Sequence, residues 1–228
     1  MKTERFVISL GGSLIVPEQI DVRFLSEFKR VIEAEVRRGR KFVLITGGGK
    51  IARRYAAAAR ELRMLNRDDL DWLGIHSTRL NGHLLRTIFR NLAHPEINTN
   101  PYKPQRVSRP IVIAAGFRPG FSTDHDAVVL AHKYGVKTIL NLSNIDYVYD
   151  KDPSKRRNAK PLKTVTWPEF RKLVGNKWHP GANLPFDPIA SKLAQKLGLT
   201  VIMLNGNPIS NLKNFLSGRK FKGTIIHG

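Results

Sequence analysis

The stretch IVIAAGFRPGFSTD, residues 111–124, decides the fold of this chain. Its apolar half, residues 111–115, predicts a buried β-strand, and the glycine and proline residues that follow predict a turn. Ser122, Thr123 and Asp124 then precede a helical segment, where such side chains are typical N-caps. Backbone N–H groups at a helix N-terminus bind anions, and glycine lets an anion approach the backbone closely. The stretch fits either a phosphate-binding loop or an ordinary capped connection.

Two other glycine-rich stretches favour the phosphate-binding interpretation. LGGS, residues 10–13, and TGGG, residues 46–49, each follow a short apolar segment that predicts a buried strand. Strand-like and helix-like segments alternate along the rest of the chain, with no repeat and no linker. This alternation predicts a three-layer α/β sandwich with a largely parallel central sheet, and we expect one domain over residues 1–228. All three glycine loops are then expected at the carboxyl edge of the sheet.

Hydrophobic spacing and helix start and stop signals predict the individual elements. The expected helices cover residues 22–38, 50–63, 68–93, 127–134, 167–174, 189–197 and 209–216, and the expected strands cover residues 6–10, 42–45, 111–115, 136–142, 200–204 and 224–226. Asp21 and Asp187 are the expected N-caps of two helices. Residues 95–110, which are polar and rich in proline, and residues 181–185 are expected to form loops.

The composition excludes several classes of protein. The chain has 228 residues, of which 41% are hydrophobic, so it can bury a substantial core. It contains no cysteine, which excludes disulfides, cysteine-based zinc sites and thiol catalysis. The apolar run at residues 6–10 is too short for a signal peptide, and no stretch approaches the length of a membrane span. We therefore expect a soluble, cytoplasmic protein.

The formal net charge of +21 indicates an anionic partner. Residues 151–177 are especially basic, with nine lysines and arginines against two acidic residues. Such a chain can bind nucleic acid through its phosphates, or it can bind a small polyanionic substrate. The sequence has no aromatic pattern typical of an RNA-recognition motif. We expect the small substrate, and not nucleic acid, to be the main partner.

Six segments, in the same order, resemble the amino acid kinase superfamily and most closely its uridylate kinases of archaeal type. The segments are residues 10–13, 46–53 (TGGGKIAR), 70–81 (LDWLGIHSTRLN), 116–124, 143–153 (SNIDYVYDKDP) and 186–190 (FDPIA). The resemblance covers nearly the whole chain. It implies the amino acid kinase fold and transfer of the γ-phosphate of ATP to UMP, giving UDP in pyrimidine nucleotide (CTP) biosynthesis. Like that superfamily, the chain lacks the Walker loop G-x-x-x-x-G-K-[ST].

The resemblance also implies roles for individual residues. UMP is expected to be bound by Gly48, Asp71, Phe117, Arg118, Pro119, Gly120, Phe121, Ser122 and Thr123, with Asp71 on the ribose hydroxyls. ATP, taken with Mg²⁺, is expected to be bound by Ser9, Leu10, Gly11, Gly12, Ser13, Gly49, Arg53, Ser143, Asn144, Tyr149 and Asp152. Arg53 is also the expected catalytic residue, because phosphoryl transfer depends on positioning and charge neutralisation. No side chain is assigned to the metal, and the resemblance implies a homohexamer.

Two positions depart from the superfamily pattern. Many members carry lysine two residues before the first glycine pair, and this chain has Ser9 there. Arg53, or Lys50 beside it, is the candidate cation to replace that lysine. Tyr147 stands where the pattern has glycine, so its backbone is expected to avoid a positive φ. Two alternatives stay open: a same-fold enzyme acting on acetylglutamate, isopentenyl phosphate or another small acid, and a non-catalytic nucleotide sensor or nucleic-acid binder.

Overall fold

The computed structural model describes residues 4–106, 108–176 and 184–228. The strands are β1 (Arg5–Leu10), β2 (Lys41–Thr46), β3 (Ile111–Ala114), β4 (Thr138–Ser143), β5 (Val148–Tyr149), β6 (Pro161–Leu162), β7 (Thr164–Thr166), β8 (Thr200–Asn205) and β9 (Thr224–His227). The helices are α1 (Gly12–Ile15), α2 (Val22–Arg37), α3 (Gly49–Leu62), α4 (Arg67–Ile88), α5 (Thr123–Lys133), α6 (Trp167–Val174), α7 (Pro188–Lys196) and α8 (Ser210–Leu216). Of the loop expected at residues 181–185, only residues 184 and 185 are described.

Seven strands form one sheet in the order β3-β2-β1-β4-β8-β9-β7. Neighbouring strands run parallel except β8 and β9, which pair antiparallel. The predicted α/β sandwich with a largely parallel sheet is therefore confirmed. Strands β5 and β6 form a separate two-stranded hairpin beside it. Because β1, β2, β3 and β4 are mutually parallel, the loops that follow them emerge at the same edge, as predicted.

Two apolar cores cover the two faces of the sheet. On one face, side chains of α2, α4 and α8 pack with Ile8 and Leu10 of β1. On the other face, α5, α6 and α7 pack with Val7 of the same strand. Successive side chains of a strand point to opposite faces, so Ser9 lies on the same face as Val7, which is the face of α5. This alternation determines the partner of Ser9 at the end of β1.

Helix boundaries agree with the sequence prediction where a cap is visible in the sequence. The Asp21 side chain accepts a hydrogen bond from Phe24 N at 2.8 Å at the start of α2. Gly39, with φ of 86°, lies just beyond the end of that helix. The Asp187 side chain accepts from Ala190 N at 2.7 Å and caps α7. Among the described helices, none has the length and apolar character that crossing a membrane requires.

Several predicted boundaries were wrong. Helix α4 begins at Arg67 with Asn66 as its N-cap, and it ends at Ile88 and not near residue 93. It ends early because the chain turns to pair with β3: His94 N donates to Ile111 O at 2.8 Å. Strand β4 begins at residue 138 and not at 136, and α5 begins at 123 and not near 127. The short α1, β5, β6 and β7 were not predicted, because two to four residues are too few to show a period.

Candidate active site

The first two glycine loops pack directly against each other at the ends of β1 and β2. Gly47 N donates to Leu10 O at 2.9 Å, so the second loop is tied to the end of β1. A Cβ on Gly12 would collide with the backbone N of Gly49, which leaves no room for any other residue. Gly49 has φ of 65°, a left-handed conformation that glycine adopts without strain. The structure therefore brings the predicted phosphate-binding glycines of two separate segments together.

Asp124 is the centre of a polar cluster beside these loops. Its Oδ1 accepts hydrogen bonds from Ser9 Oγ at 3.2 Å and from Asn141 Nδ2 at 3.1 Å. Its Oδ2 accepts from Asp187 N at 3.1 Å. Burial, together with the negative charge of Asp187, raises the pKa of Asp124 to about 7. One carboxyl group thus joins β1, β4 and the start of α7, on the face where strand alternation places Ser9.

Sequence reasoning did not assign Asp124 or Asn141 to the site. Asp124 stood in the deciding stretch, but only as a helix-start residue. The glycine and hydroxyl residues that precede Asp124 were a usable signal, whereas the local mark of Asn141 is only that it is a polar residue within the apolar strand β4. Pairing partners in parallel strands come from distant parts of the chain, so this contact depends on the fold.

The loop at residues 116–122 is held in place by side chains of α4. Thr78 Oγ1 accepts from Gly116 N at 2.8 Å. Arg79 donates to Gly116 O at 3.2 Å and to Phe117 O at 2.8 Å. Asp71 Oδ2 accepts from Gly120 N at 2.8 Å. The loop backbone is therefore fixed at both ends before any ligand binds.

The same helix also braces the second glycine loop. Asn81 Nδ2 donates to Gly47 O at 2.8 Å and to Gly48 O at 3.3 Å. Asp71 and Asn81 lie ten residues apart on α4 and hold two different loops at the carboxyl edge. Helix α4 thus sets the distance between the glycine loops and the 116–122 loop.

Aromatic and cationic side chains line the outer part of the 116–122 loop. The Arg118 guanidinium lies 5.1 Å from the ring centroid of Phe117 and 5.0 Å from that of Phe121. Such cation–π contacts stabilise the loop where it meets solvent. Ser122 Oγ accepts from His125 N at 3.1 Å and caps α5, so its hydroxyl oxygen is engaged by the protein. Thr123 is the first residue of α5.

The two candidate cations of α3 differ in their contacts. Lys50 Nζ lies 2.8 Å from Glu18 Oε1, in a salt bridge on the surface. Arg54 lies 3.5 Å from the other oxygen of Glu18. Arg53 is exposed and has no ion-pair partner among the described residues. Of the three, Arg53 alone makes no salt bridge within the described part of the chain, although its charge, after those of Lys50 and Arg54, also helps to lower the pKa of Glu18.

The segment after β4 borders two cavities. Ser13 and Asn144 line a cavity of about 240 Å³, which also touches Asn205 and Asn207. Those two asparagines line a second cavity of about 1080 Å³ as well. The larger cavity also holds the side chains Tyr147, Lys163, Arg219, Lys220 and Lys222. The two cavities share a wall and together can accept an elongated anionic ligand.

Ser143, Tyr149 and Asp152, which were all predicted to bind ATP, lie in different surroundings. Ser143 ends β4, and its carbonyl oxygen accepts from Gly206 N at 3.0 Å. Tyr149 lies in the hairpin, and neither it nor Asp152 is among the residues lining the two cavities. The exposed Asp152 carboxylate accepts from Ser154 N and Oγ, and these bonds lower its pKa. Tyr147 avoids a positive φ, as does every non-glycine residue in the described part of the chain.

Among the described residues, no group of three or more His, Cys, Asp or Glu side chains could hold a metal ion. Mg²⁺ is commonly bound through one or two carboxylates together with substrate phosphates and water. The residues present are compatible with a magnesium ion whose ligands come largely from a nucleotide and water.

The fold and these loops define a class: an α/β protein that gathers glycine-rich loops at the carboxyl edge of its sheet and has no Walker loop. Comparison with known proteins gives the family. The pattern of the amino acid kinase family matches residues 4–205, and the chain belongs to that family.

Individual relatives narrow the assignment within this family. The uridylate kinase of Thermoplasma volcanium is 32% identical over 98% of this chain and 97% of its own. The crystal structure of uridylate kinase from Archaeoglobus fulgidus superimposes with a TM-score of 0.83 at 28% identity, covering 98% of this chain and all of the other. The UMP kinase of Ureaplasma parvum, at 23% identity and a TM-score of 0.76, supports the fold alone. The predicted resemblance to the uridylate kinases is confirmed.

Proposed function

We propose that this protein is a UMP kinase, which transfers the γ-phosphate of ATP to UMP and yields ADP and UDP. One observation carries the proposal: Gly12, Gly49 and the 116–122 loop meet at one sheet edge. Phosphoryl transfer between two nucleotides requires that their phosphates face each other among preorganised hydrogen-bond donors. Near-complete alignment with relatives named uridylate kinase supports uridylate as the acceptor.

For the donor, we propose that backbone N–H groups of residues 10–13 and of Gly49 hold the ATP phosphates. Backbone amides at such glycine turns present several donors to one anion. The donor nucleoside would extend from Ser13 and Asn144 into the adjoining cavities, where four cations without a described ion-pair partner favour anions. Mg²⁺ enters with ATP as part of the substrate and neutralises phosphate charge.

For the acceptor, we propose that Asp71 binds the ribose hydroxyls of UMP and that the 116–122 loop surrounds the uracil and the phosphate. A carboxylate accepts two hydroxyl hydrogen bonds readily. Asp71 already accepts from Gly120 N through Oδ2, so ribose binding and loop position share one side chain. Gly48 lies beside Ser77 of α4, which leaves its backbone close to the same edge.

We propose Arg53 as the cation that balances the transferred phosphoryl group in place of the missing first-strand lysine. Arginine remains charged and can grip two phosphate oxygens at once. The Lys50–Glu18 salt bridge supports a surface role for Lys50. Ser9 bonds to Asp124 and so shapes the end of β1, a role that needs no charge.

We also propose that the protein is a homo-oligomer, a hexamer by family resemblance, which acts in the cytoplasm. None of the fourteen residues of α3, all of which are described, is buried. Tyr55 and Leu62 on that helix are 62% and 86% exposed, and Met64 beyond it is 93% exposed. Amphipathic helices normally bury their apolar side, so this face supports a contact with a second copy. A chain without cysteine fits a reducing compartment.

A coupled assay for UMP-dependent ADP release tests the proposal. We expect UMP to be phosphorylated far better than AMP, GMP or acetylglutamate, because hydrogen bonds to the base edge discriminate strongly. Equal rates with AMP would remove the uridylate assignment and leave the fold untouched. Tight RNA binding at physiological salt without any kinase activity would favour the nucleic-acid alternative.

A further inference from the structure

His125 and Asp126 form a buried pair beneath the 116–122 loop that the proposed chemistry leaves unused. They are 6% and 1% exposed and lie in the first turn of α5. His125 Nδ1 and Asp126 Oδ1 are both buried and have no hydrogen-bond partner among the described residues. The two atoms face each other at 3.9 Å. Buried polar groups are nearly always bonded, so an unbonded pair beside a substrate loop needs an explanation.

Asp126 holds the loop through its other oxygen. Its Oδ2 accepts from Phe117 N at 3.2 Å. From the opposite side, Arg79 of α4 donates to the carbonyl oxygen of Phe117 at 2.8 Å. The peptide groups on both sides of Phe117 are therefore fixed by side chains from two different helices. This arrangement sets the direction in which the Phe117 ring leaves the backbone.

His125 supports the second aromatic residue of the loop. Its ring centroid lies 4.7 Å from that of Phe121 and 6.3 Å from that of Tyr102. Phe117 and Phe121 lie 5.9 Å apart, and Phe117 also contacts Tyr102 at 5.9 Å. These are the usual separations of packed aromatic pairs. The pair thus controls both phenylalanines, one through the backbone and the other through ring packing.

We propose that the His125–Asp126 pair is a positioning unit that fixes Phe117 and Phe121 as the aromatic wall for the base of the acceptor nucleotide. The inference rests on the proposed function, because it takes the 116–122 loop as the acceptor site. A flat base packs well against aromatic rings only when their angle and separation are held. The pair therefore contributes to acceptor selectivity without touching the reacting phosphates.

The unbonded atoms fit this role. Leaving a buried donor or acceptor without a partner costs on the order of 1–3 kcal/mol. A small rotation of the His125 ring would bring Nδ1 within hydrogen-bond distance of Asp126 Oδ1. Because the ring packs on Phe121, such a bond would hold Phe121 as well as His125 at one angle.

The test compares His125→Ala, His125→Phe and Asp126→Asn with a matched control on the same helix, His132→Ala, whose side chain is exposed. We expect His125→Ala and Asp126→Asn to raise the KM for UMP about tenfold, the scale of one well-placed hydrogen bond. We expect kcat and the KM for ATP to change by less than about twofold. His125→Phe keeps the ring that packs on Phe121 but loses Nδ1, and it is expected to recover only part of the affinity for UMP. The double variant His125→Ala/Asp126→Asn is expected to cost less than the sum of the single changes.

Amide hydrogen exchange in the free protein supplies a readout that does not depend on activity. We expect Asp126→Ala, which removes the acceptor of Phe117 N–H altogether, to accelerate exchange at Phe117 N–H relative to His132→Ala. An active enzyme whose variants keep the wild-type KM for UMP would overturn this inference alone, as would equal losses for ATP and UMP. A wild-type protein that phosphorylates no uridylate overturns the proposed function and the role in base binding with it. Unchanged exchange at Phe117 would overturn the positioning role itself.

Discussion

The 116–122 loop and the 143–152 segment both follow strands of the same sheet, yet they are held very differently. The first is fixed by Thr78, Arg79 and Asp71 of α4 and by Asp126 of α5. The second is held by its own pairing of β5 with β6 and by bonds from the far end of the chain, with Asn205 Nδ2 donating to Asp146 Oδ1 and Val148 N donating to Thr224 Oγ1, both at 2.9 Å. It borders open cavities lined by exposed lysine and arginine side chains. The proposed acceptor side is therefore preorganised, whereas the proposed donor side is open and cationic.

This difference indicates which of the two nucleotides the site selects more strictly. A site whose hydrogen-bonding groups are already fixed discriminates strongly between ligands, because a wrong ligand leaves buried groups unpaired. An open cationic cleft attracts polyphosphates in general and discriminates weakly among their bases. We therefore expect strict choice of the acceptor and looser choice of the donor. Each prediction below tests one side of this contrast.

The largest expected effect is on the donor side and follows from removal of Mg²⁺. In the proposed reaction the ion is supplied with the nucleotide, because Mg²⁺ commonly binds through substrate phosphates. Chelation with EDTA is expected to abolish ADP release, and excess Mg²⁺ is expected to restore it. The coupled assay measures both. Turnover that persists in EDTA would show that protein cations alone carry the phosphate charge.

The next effect concerns the cation between the two sides. Arg53→Ala is expected to lower kcat by about 10²-fold or more, the scale of losing one preorganised charge-stabilising donor. Lys50→Ala is the matched control on the same turn. It is expected to cost much less, since Lys50 is paired with Glu18. Steady-state kinetics of the two variants decide the matter, and wild-type turnover in Arg53→Ala would show that the assignment of charge is wrong.

On the acceptor side, Asp71→Asn removes a charged acceptor that also holds Gly120 N. Hydrogen bonds to charged groups are worth about 1.5–3 kcal/mol. The KM for UMP is therefore expected to rise about ten- to a hundredfold, while the KM for ATP changes little. Arg23→Ala, on the exposed surface of α2, is a suitable control for handling and folding. An unchanged KM for UMP in a folded Asp71→Asn protein would make the role of α4 purely structural.

Much of this arrangement was visible in the sequence, because strand alternation, glycine turns and helix caps are local signals. The glycine loops, the caps Asp21 and Asp187 and the parallel sheet all follow from neighbouring residues. The end of α4 did not, because it is set by the pairing of Ala93 with Ile111 of β3, which lies eighteen residues further along the chain.

The bracing of the site was harder to predict than the loops themselves. Asn141 lies in an apolar strand and Asp126 in the polar first turn of α5, and neither position shows which distant group its side chain will bind. Their roles depend on Asp124 and on Phe117 N, which only the folded chain brings near. A buried polar residue inside an apolar run was the one available signal, since burial without a bond is costly. Such a residue indicates that a hydrogen-bond partner exists elsewhere in the chain, but it does not identify that partner.

The smallest expected effect concerns Asp124, where the two sides meet. Burial and the neighbouring Asp187 raise its pKa to about 7, against about 4 for an unfolded aspartate. Between these two values the folded protein holds a proton that the unfolded chain has released, so this group makes stability fall as pH rises towards 7. Above about pH 7 the ionised carboxylate faces Asp187 and its destabilising effect is complete. Below about pH 4 both states are protonated and the effect vanishes.

Asp124→Asn mimics the neutral carboxyl and removes this titration. We expect the Tm of the variant, relative to the wild type, to increase by a few degrees between pH 5 and pH 8, the scale of about 1 kcal/mol for a chain of this size. Thermal unfolding at the two pH values measures it. The exposed Asp152→Asn is the control, because its pKa is lowered and it ionises well below this range. A difference in Tm between Asp124→Asn and the wild type that is the same at both pH values would mean that Asp124 keeps one protonation state over this range, and a variant more stable than the wild type at both values would identify that state as the ionised one. The cluster at the end of β1 would then need a cation to balance the charge of Asp124. The proposed donor side, which lacks the first-strand lysine, would need a second positive charge besides Arg53.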